Sequence, residues 1–155
     1  NGINIKDFNK NEYFKNISYV PQNVSLLNDS IKNNILFGSS DECDEDYLKK
    51  VIDISGLNYV INKLPNKINF IIGESGLKIS GGERQRIGIA RALYRKPKVL
   101  IMDEALNALN IEKGFEILSK IIDQNLIDIK ILITHNHEYL QKCNKILNLK
   151  DGKLN

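Results

Sequence analysis

The chain has 155 residues, of which 42% are hydrophobic and 26% charged, a balance that allows one domain with a real core and excludes a disordered segment. A net charge of +3, with the basic residues spread along the chain, gives no footing for nucleic acid and reads as a solvated surface. No apolar run approaches the roughly eighteen residues that span a bilayer, and the start at Asn1, with no signal peptide, reads as the middle of something longer.

Residues 2–5 read as a turn and an extended piece, and residues 11–15 as a short polar helix or loop. Ile17-Ser18-Tyr19-Val20 is rich in β-formers and reads as a strand stopped by Pro21, with Gln22 just past its end. In residues 25–31, Leu26 and Leu27 either face a partner or join the local core. Asp29 or Ser30 is placed there to cap a helix with Ile31, Ile35 and Leu36 at helical spacing. The acidic cluster over residues 41–46 stands at the front of the next helix, where it favours the dipole and needs no metal. Leu48, Val51 and Ile52, then Leu57, Val60, Ile61 and Leu64, mark two short amphipathic helices broken at Ser55-Gly56. Residues 69–76 form a β-rich segment ending in Gly73-Glu74-Ser75-Gly76.

Ser80-Gly81-Gly82 opens a helix with Ile87, Ala90 and Leu93 on one face, and Lys96-Pro97 ends it. Val99-Leu100-Ile101-Met102 reads as a short buried strand that delivers Asp103 and Glu104 at its carboxyl end, where open α/β sheets bind ligands and two acids can hold Mg²⁺ near a phosphate. A helix with Phe115, Leu118, Ile121 and Ile122 on one side follows. Then come a second buried strand over residues 129–134, ending at His135, and a third over residues 145–149, closed by a turn at Asp151-Gly152. Strands alternating with helices imply a largely parallel sheet. Cys43 and Cys143 lie far apart without Cys-x-x-Cys spacing, so neither a disulfide framework nor a zinc site is indicated, and a reduced, cytosolic setting fits. His135, His137 and Cys143 are too scattered to read as a metal site.

Four of these stretches, in this order, resemble the motifs of ATP-binding-cassette (ABC) ATPases. Ile79-Ser80-Gly81-Gly82-Glu83 is similar to the signature Leu-Ser-Gly-Gly-Gln, and residues 99–104 to the Walker B strand with its catalytic glutamate. Gln22 in Tyr19-Val20-Pro21-Gln22 resembles the Q-loop, and His135 in Ile133-Thr134-His135 the H-loop. The likeness runs from about Gly2 to Leu154. It implies an α/β fold: a partial P-loop NTPase with a mostly parallel sheet and an inserted helical signature subdomain. Residues 1–30 would be a core piece with the Q-loop, 31–95 the helical subdomain with the signature helix, and 96–155 a core piece with Walker B, D-loop and H-loop. Residues 73–76 resemble a loop that exporters carry against coupling helices, and residues 25–38 with Leu93-Tyr94 resemble exporters of lipids, saccharides and peptides.

The chemistry of these residues agrees with the resemblance. Ser80, Gly81 and Gly82 present a hydroxyl and open N–H groups at a helix N-terminus, suited to phosphate. Asp103 at a strand end can hold Mg²⁺, and Glu104 beside it can polarise the water that attacks the γ-phosphate of ATP. The resemblance adds that Ser80 to Glu83 serve the partner subunit's site, that Gln22 reaches Mg²⁺ and the lytic water, and that His135 contacts the γ-phosphate.

Three departures stand out. Glu83 replaces the signature glutamine and brings a carboxylate towards the phosphate, with Arg84 or Arg86 near to offset it. Asn107-Ala108-Leu109-Asn110 stands where the D-loop commonly reads Ser-Ala-Leu-Asp, with Leu106 where threonine is common. No Walker A loop, Gly-x-x-x-x-Gly-Lys-Ser/Thr, occurs; the only Gly-Lys is Gly152-Lys153.

The expectation is ATP binding and hydrolysis driving export or flipping of a substrate across a membrane. The parent would act as a dimer of nucleotide-binding domains joined to a transmembrane domain, this segment lying at the cytoplasmic face, with no nucleic-acid partner. These residues by themselves are expected to bind ATP weakly and to associate through exposed sheet. One alternative is a degenerate, regulatory cassette marked by Glu83 and Asn110. Another is a soluble ABC ATPase working on DNA or ribosomes, which the modest charge and residues 73–76 oppose.

Overall fold

The computed structural model describes residues 4, 6, 9–39, 42–76, 78–125 and 127–154. The turn expected over residues 2–5 falls almost wholly outside them. At the centre are three parallel strands in the order β1 (Ile17–Val20), β2 (Val99–Asp103), β3 (Ile129–Ile133). Their registers pair Tyr19 with Ile101 and Ile101 with Ile131, so residues alternate between the same two faces right across the sheet. On one face Ser18, Val20, Leu100 and Met102 are buried. On the other, Tyr19, Ile129, Ile131 and Ile133 are exposed.

Helices cover the buried face. α1 (Lys10–Lys15) precedes β1, while α2 (Ile31–Leu36), α3 (Glu45–Ile54) and α4 (Asn58–Lys63) form a helical insertion ahead of α5 (Gly81–Tyr94). α5 is the hub, packing on α2, α3 and β1. Ile87, Ile89, Ala90 and Leu93 are all buried along it. α6 (Ile111–Ile122) buries Ile117, Leu118 and Ile121, and α7 (His137–Leu140) follows β3.

Local chemistry accounts for where the helices start and stop. Ser30 caps α2, its Oγ accepting from the Asn33 N–H at 3.0 Å, and the Asp44 carboxylate caps α3 through the Tyr47 N–H at 3.0 Å. Lys96 also lies 3.1 Å from Asp44, so this carboxyl is held below its ordinary range, chiefly by the Tyr47 N–H and then by Lys96. α3 ends where Gly56 adopts φ +68°, and α5 ends just before Lys96 at φ +51° and Pro97.

The Arg91 guanidinium ties the loop after β1 to α5. It donates to the Asn34 carbonyl at 2.8 Å, the Ser25 carbonyl at 2.9 Å and the Asn34 side-chain oxygen at 3.1 Å, and burial pushes it down from its ordinary value. Held this way, Leu26 joins the core while its neighbour Leu27 stays exposed.

Three expectations are corrected. Residues 69–76 form no strand: they make an isolated bridge, Ser30 with Ile71, and a 3-10 turn at Glu74–Gly76, because Gly73 and Gly76 both take positive φ and turn the chain before a ladder can form. β3 is not a buried strand: its isoleucines all point to the open face, where no described residue covers them. Residues 145–149 do not add a third strand to those two. Leu149–Lys150 (β4) pairs instead with Lys153–Leu154 (β5) in a separate hairpin around Asp151 at φ +52° and Gly152 at φ +74°, the expected turn.

Candidate active site

Parallel strands lift their following residues to one edge of the sheet, and here that edge gathers Gln22 after β1, Glu104 after β2 and His135 after β3. The Glu104 N–H donates to the Ile133 carbonyl at 3.0 Å, which carries the β2–β3 ladder one residue past the strand. The chain then turns sharply, with Glu104 at φ +48°, a left-handed conformation that a side chain other than glycine adopts only under constraint.

The Glu104 carboxylate is the focus. Gln22 Nε2 and Asn107 Nδ2 both donate to its Oε2 at 2.9 Å, and His135 Nε2 lies 2.7 Å from its Oε1. The Glu104 side chain is only 17% exposed, whereas that of His135 is 87% exposed. The acid is thus packed in place, and the imidazole meets it from the open side.

Asp103 lies one residue back. Its Oδ2 accepts from the Tyr19 hydroxyl at 2.7 Å, and this bond, with some desolvation, raises the phenol above its ordinary value. Among the described residues no hydrogen bond reaches Asp103 Oδ1. The Gln22 segment is anchored from below by buried Gln85, whose Nε2 donates to the Pro21 carbonyl at 3.0 Å.

The signature residues sit at the start of α5, apart from this cluster. Ser80 Oγ accepts from the Glu83 N–H at 3.3 Å while the Glu83 carboxylate accepts from the Ser80 N–H at 2.7 Å, a reciprocal capping box. The Glu83 carboxylate is therefore turned back on its own helix. Arg86, which burial pushes down and Glu83 pulls up, donates to the Gly82 and Gly56 carbonyls.

The two glycines differ. A Cβ on Gly81 would meet nothing within 4 Å, whereas one on Gly82 would lie 3.0 Å from the Ala108 carbonyl oxygen and 3.3 Å from Leu109 Cδ2. Gly82 is the point where the signature helix touches the loop after Glu104.

Sequence reasoning singled out Gln22, Asp103, Glu104 and His135, and the structure brings Gln22 into hydrogen bond with Glu104 and His135 to within 2.7 Å of it, with Asp103 adjacent in sequence. Ser80, Gly81, Gly82 and Glu83 are not in that group. Two residues were missed as members of the site: Tyr19 and Asn107. Period-two alternation, given the register, places Tyr19 on the same face as Asp103. For Asn107 the signals were its place three residues after Glu104 and at the head of the stretch that stands where the D-loop does.

Mg²⁺ takes oxygen ligands, commonly one or two carboxylates completed by water and phosphate. Among the described residues no cluster of three or more His, Cys, Asp or Glu side chains is arranged to hold a metal. Asp103, with one oxygen unengaged beside a second carboxylate, fits the lesser role of a partial ligand.

The sequence profile described as ABC transporter matches residues 1–107. The chain belongs to the ABC transporter family. Within that family it is 40% identical over 152 residues to the "Putative export ATP-binding/permease protein" of Rickettsia bellii, covering 98% of this chain and 26% of that protein. It is 33% identical over 151 residues to the "ATP-dependent lipid A-core flippase" of Vibrio vulnificus, covering 97% of this chain and 26% of the flippase. A solved structure, "Structure of a bacterial Atm1-family ABC exporter with ATP bound", superimposes with a TM-score of 0.92 at 31% identity over 99% of this chain and 27% of that one. The fold is accordingly that of an ABC ATPase, and the chain spans about a quarter of the length of the relatives it matches.

Proposed function

We propose that this chain supplies the hydrolytic edge and the signature helix of an ATP-driven exporter or flippase. The observation that carries the reading is Glu104: a carboxylate at the end of a central strand, largely buried and gripped by donors from Gln22 and Asn107, with His135 beside it. The names of the relatives, export permeases and a lipid flippase, support a membrane substrate and a transmembrane partner.

In this reading the oxygen of a water attacks the γ-phosphorus, the bond to the β,γ-bridging oxygen breaks, and Glu104 takes the proton as the new bond forms. Gln22, already bonded to Glu104, orients that water from one side. His135, 87% exposed, swings onto the γ-phosphate and gives up its contact with Glu104. Asp103, with Gln22, would hold Mg²⁺, which when bound neutralises charge on the phosphates.

The phosphates also need a backbone nest and lysine, and no Walker A sequence stands in these 155 residues. In this reading the sheet is completed by a P-loop strand and helix, and the exposed face of Tyr19, Ile129, Ile131 and Ile133 is apolar surface available to pack against them. These residues by themselves therefore bind ATP weakly. In the working protein two such domains face each other at the cytoplasmic side of a membrane. Each presents Ser80, Gly81 and Gly82 to the nucleotide bound by the other, with Glu83 holding the helix start in shape.

ATPase assay of the full transporter, wild type beside Glu104→Gln, tests the reading. Turnover in the wild type, abolished in the variant, is the expected result. Bound ATP with negligible turnover in both would overturn it in favour of a regulatory, non-hydrolysing cassette.

A further inference from the structure

Of the donors around Glu104, Asn107 grips it twice. Its Nδ2 donates to Oε2 at 2.9 Å, and its backbone N–H donates to the Glu104 carbonyl at 3.1 Å. The side-chain contact has a fixed polarity, because a carboxylate has no hydrogen to give and only the NH₂ end of an asparagine can face it. The backbone contact closes a turn directly after Glu104, whose own φ is +48°. The Asn107 backbone thus fixes where its side chain stands, and the side chain sets the direction of the Glu104 carboxylate.

The loop that carries Asn107 is itself held. Its neighbours Ala108 and Leu109 lie so near Gly82 that a single added carbon would touch them. At the far end Asn110 caps α6, its Oδ1 accepting from the Lys113 N–H at 3.0 Å. Ala105 and Leu106 are buried. A loop fixed at its start, middle and end presents the Asn107 amide to Oε2 without having to order itself first. A serine, common at this place in the family, carries its donor one bond nearer the backbone and reaches less far.

We propose that Asn107 is a positioning residue for hydrolysis: it shares Oε2 with Gln22, keeps the carboxylate aimed when Gln22 turns to the nucleotide, and so sets the direction in which Glu104 accepts the proton. The proposal rests on the reading of Glu104 as the base. Asn107 is exposed, so truncating its side chain removes no buried packing.

The test is ATP turnover by the full transporter carrying Asn107→Ala or Asn107→Asp, each alone and combined with Glu104→Gln, with single-turnover measurement of the slow variants and titration with a fluorescent ATP analogue. Removal of a charge-assisted hydrogen bond that orients a reacting group lowers kcat about 10- to 100-fold. KM and the affinity for the analogue stay within about twofold, since Asn107 reaches the nucleotide only through Glu104. Asn107→Asp keeps the shape without the donor and is expected to fall at least as far as Asn107→Ala. In the Glu104→Gln background Asn107→Ala adds no further loss, because the group it aims is already gone. Turnover of Asn107→Asp within about threefold of wild type, a raised KM at unchanged kcat, or a loss that persists in full on Glu104→Gln overturns the positioning role and leaves the reading of Glu104 intact. Wild-type turnover by Glu104→Gln itself overturns that reading instead.

Discussion

Gly114 sits in the interior of α6, where replacing glycine by alanine ordinarily stabilises a helix by about 1 kcal/mol. Here the opposite is expected. A Cβ at Gly114 would lie 2.2 Å from Tyr139 Oη and 2.9 Å from Cζ, and the ring is only 2% exposed. Carbon contacts settle near 3.5–4.0 Å, so the ring has to retreat by roughly 1 Å through packed surroundings. Overpacking of this kind costs about 1–3 kcal/mol. Full ejection of a tyrosine of some 150–250 Å² at ~25 cal/mol per Å² would cost about 4–6 kcal/mol and sets the ceiling. Net of the propensity gain, Gly114→Ala should destabilise by up to about 2 kcal/mol, a fall in melting temperature of up to roughly 8 °C for a domain of this size. Tyr139 lies on α7, whose cap Asn136 directly follows His135. The displaced ring should therefore also loosen amide hydrogen exchange across residues 135–140. Tyr139→Phe in the Gly114→Ala background removes the nearest atom and should recover about half of the loss or more. Thermal unfolding by circular dichroism compares both variants with the parent. A Gly114→Ala protein that melts at or above the parent temperature, with α7 exchange unchanged, would refute the packing argument.

The two signature glycines should respond differently to alanine: Gly81→Ala leaves the melting temperature unchanged but lowers ATP turnover of the full transporter. Gly82→Ala pushes the Ala108–Leu109 loop and lowers both, and equal melting behaviour of the two would contradict the geometry. Asp44 gives a pH signature. Its carboxyl is held below the ordinary range by the Tyr47 N–H and Lys96, so its stabilisation is present above the unfolded value of about 3.9 and is lost as pH falls through the lower folded value. Melting temperature measured from neutral pH into acid should fall less steeply in Asp44→Asn, which keeps the cap and loses the charge; an unchanged slope would exclude Asp44 as a contributor.

The strands that carry the site were legible because their ends are punctuated. Pro21 stops β1, two acids stop β2, and apolar runs of strand length precede both. The helix starts were legible for the same reason, since Ser30, Asp44 and Ser80 are capping residues placed before apolar periodicity. The exposure of β3 was not. Ile129, Ile131 and Ile133 read as buried because period and composition report that a face is apolar, not whether something covers it. The Gly114–Tyr139 fit was also invisible, since it depends on how α6 and α7 meet in space. Tyr19 and Asn107 escaped as site members for a related reason: an exposed tyrosine and a turn asparagine are ordinary until their partners, Asp103 and Glu104, are placed.

The departures from the family pattern take on a different sense once their bonds are known. Glu83 stands where the signature carries glutamine, and either residue can reach back to the N-cap N–H in a capping box. Its carboxylate is committed to that N–H at 2.7 Å, which turns the charge towards the helix start. Asn110 stands where the D-loop carries aspartate, and its Oδ1 caps α6 as an aspartate oxygen would. Each replacement thus keeps the local bond that shapes its loop, and what changes is charge: one negative charge gained at the signature and one lost at the D-loop. Had the cassette drifted into a non-hydrolysing role, the residues under least constraint would be the donors on Glu104, because they contribute little to the core. Those donors, Gln22 and Asn107, are in place with His135 beside them. The proposed hydrolytic reading requires these donors at Glu104, and the two charge changes lie away from that carboxylate, at the helix start and at the cap of α6.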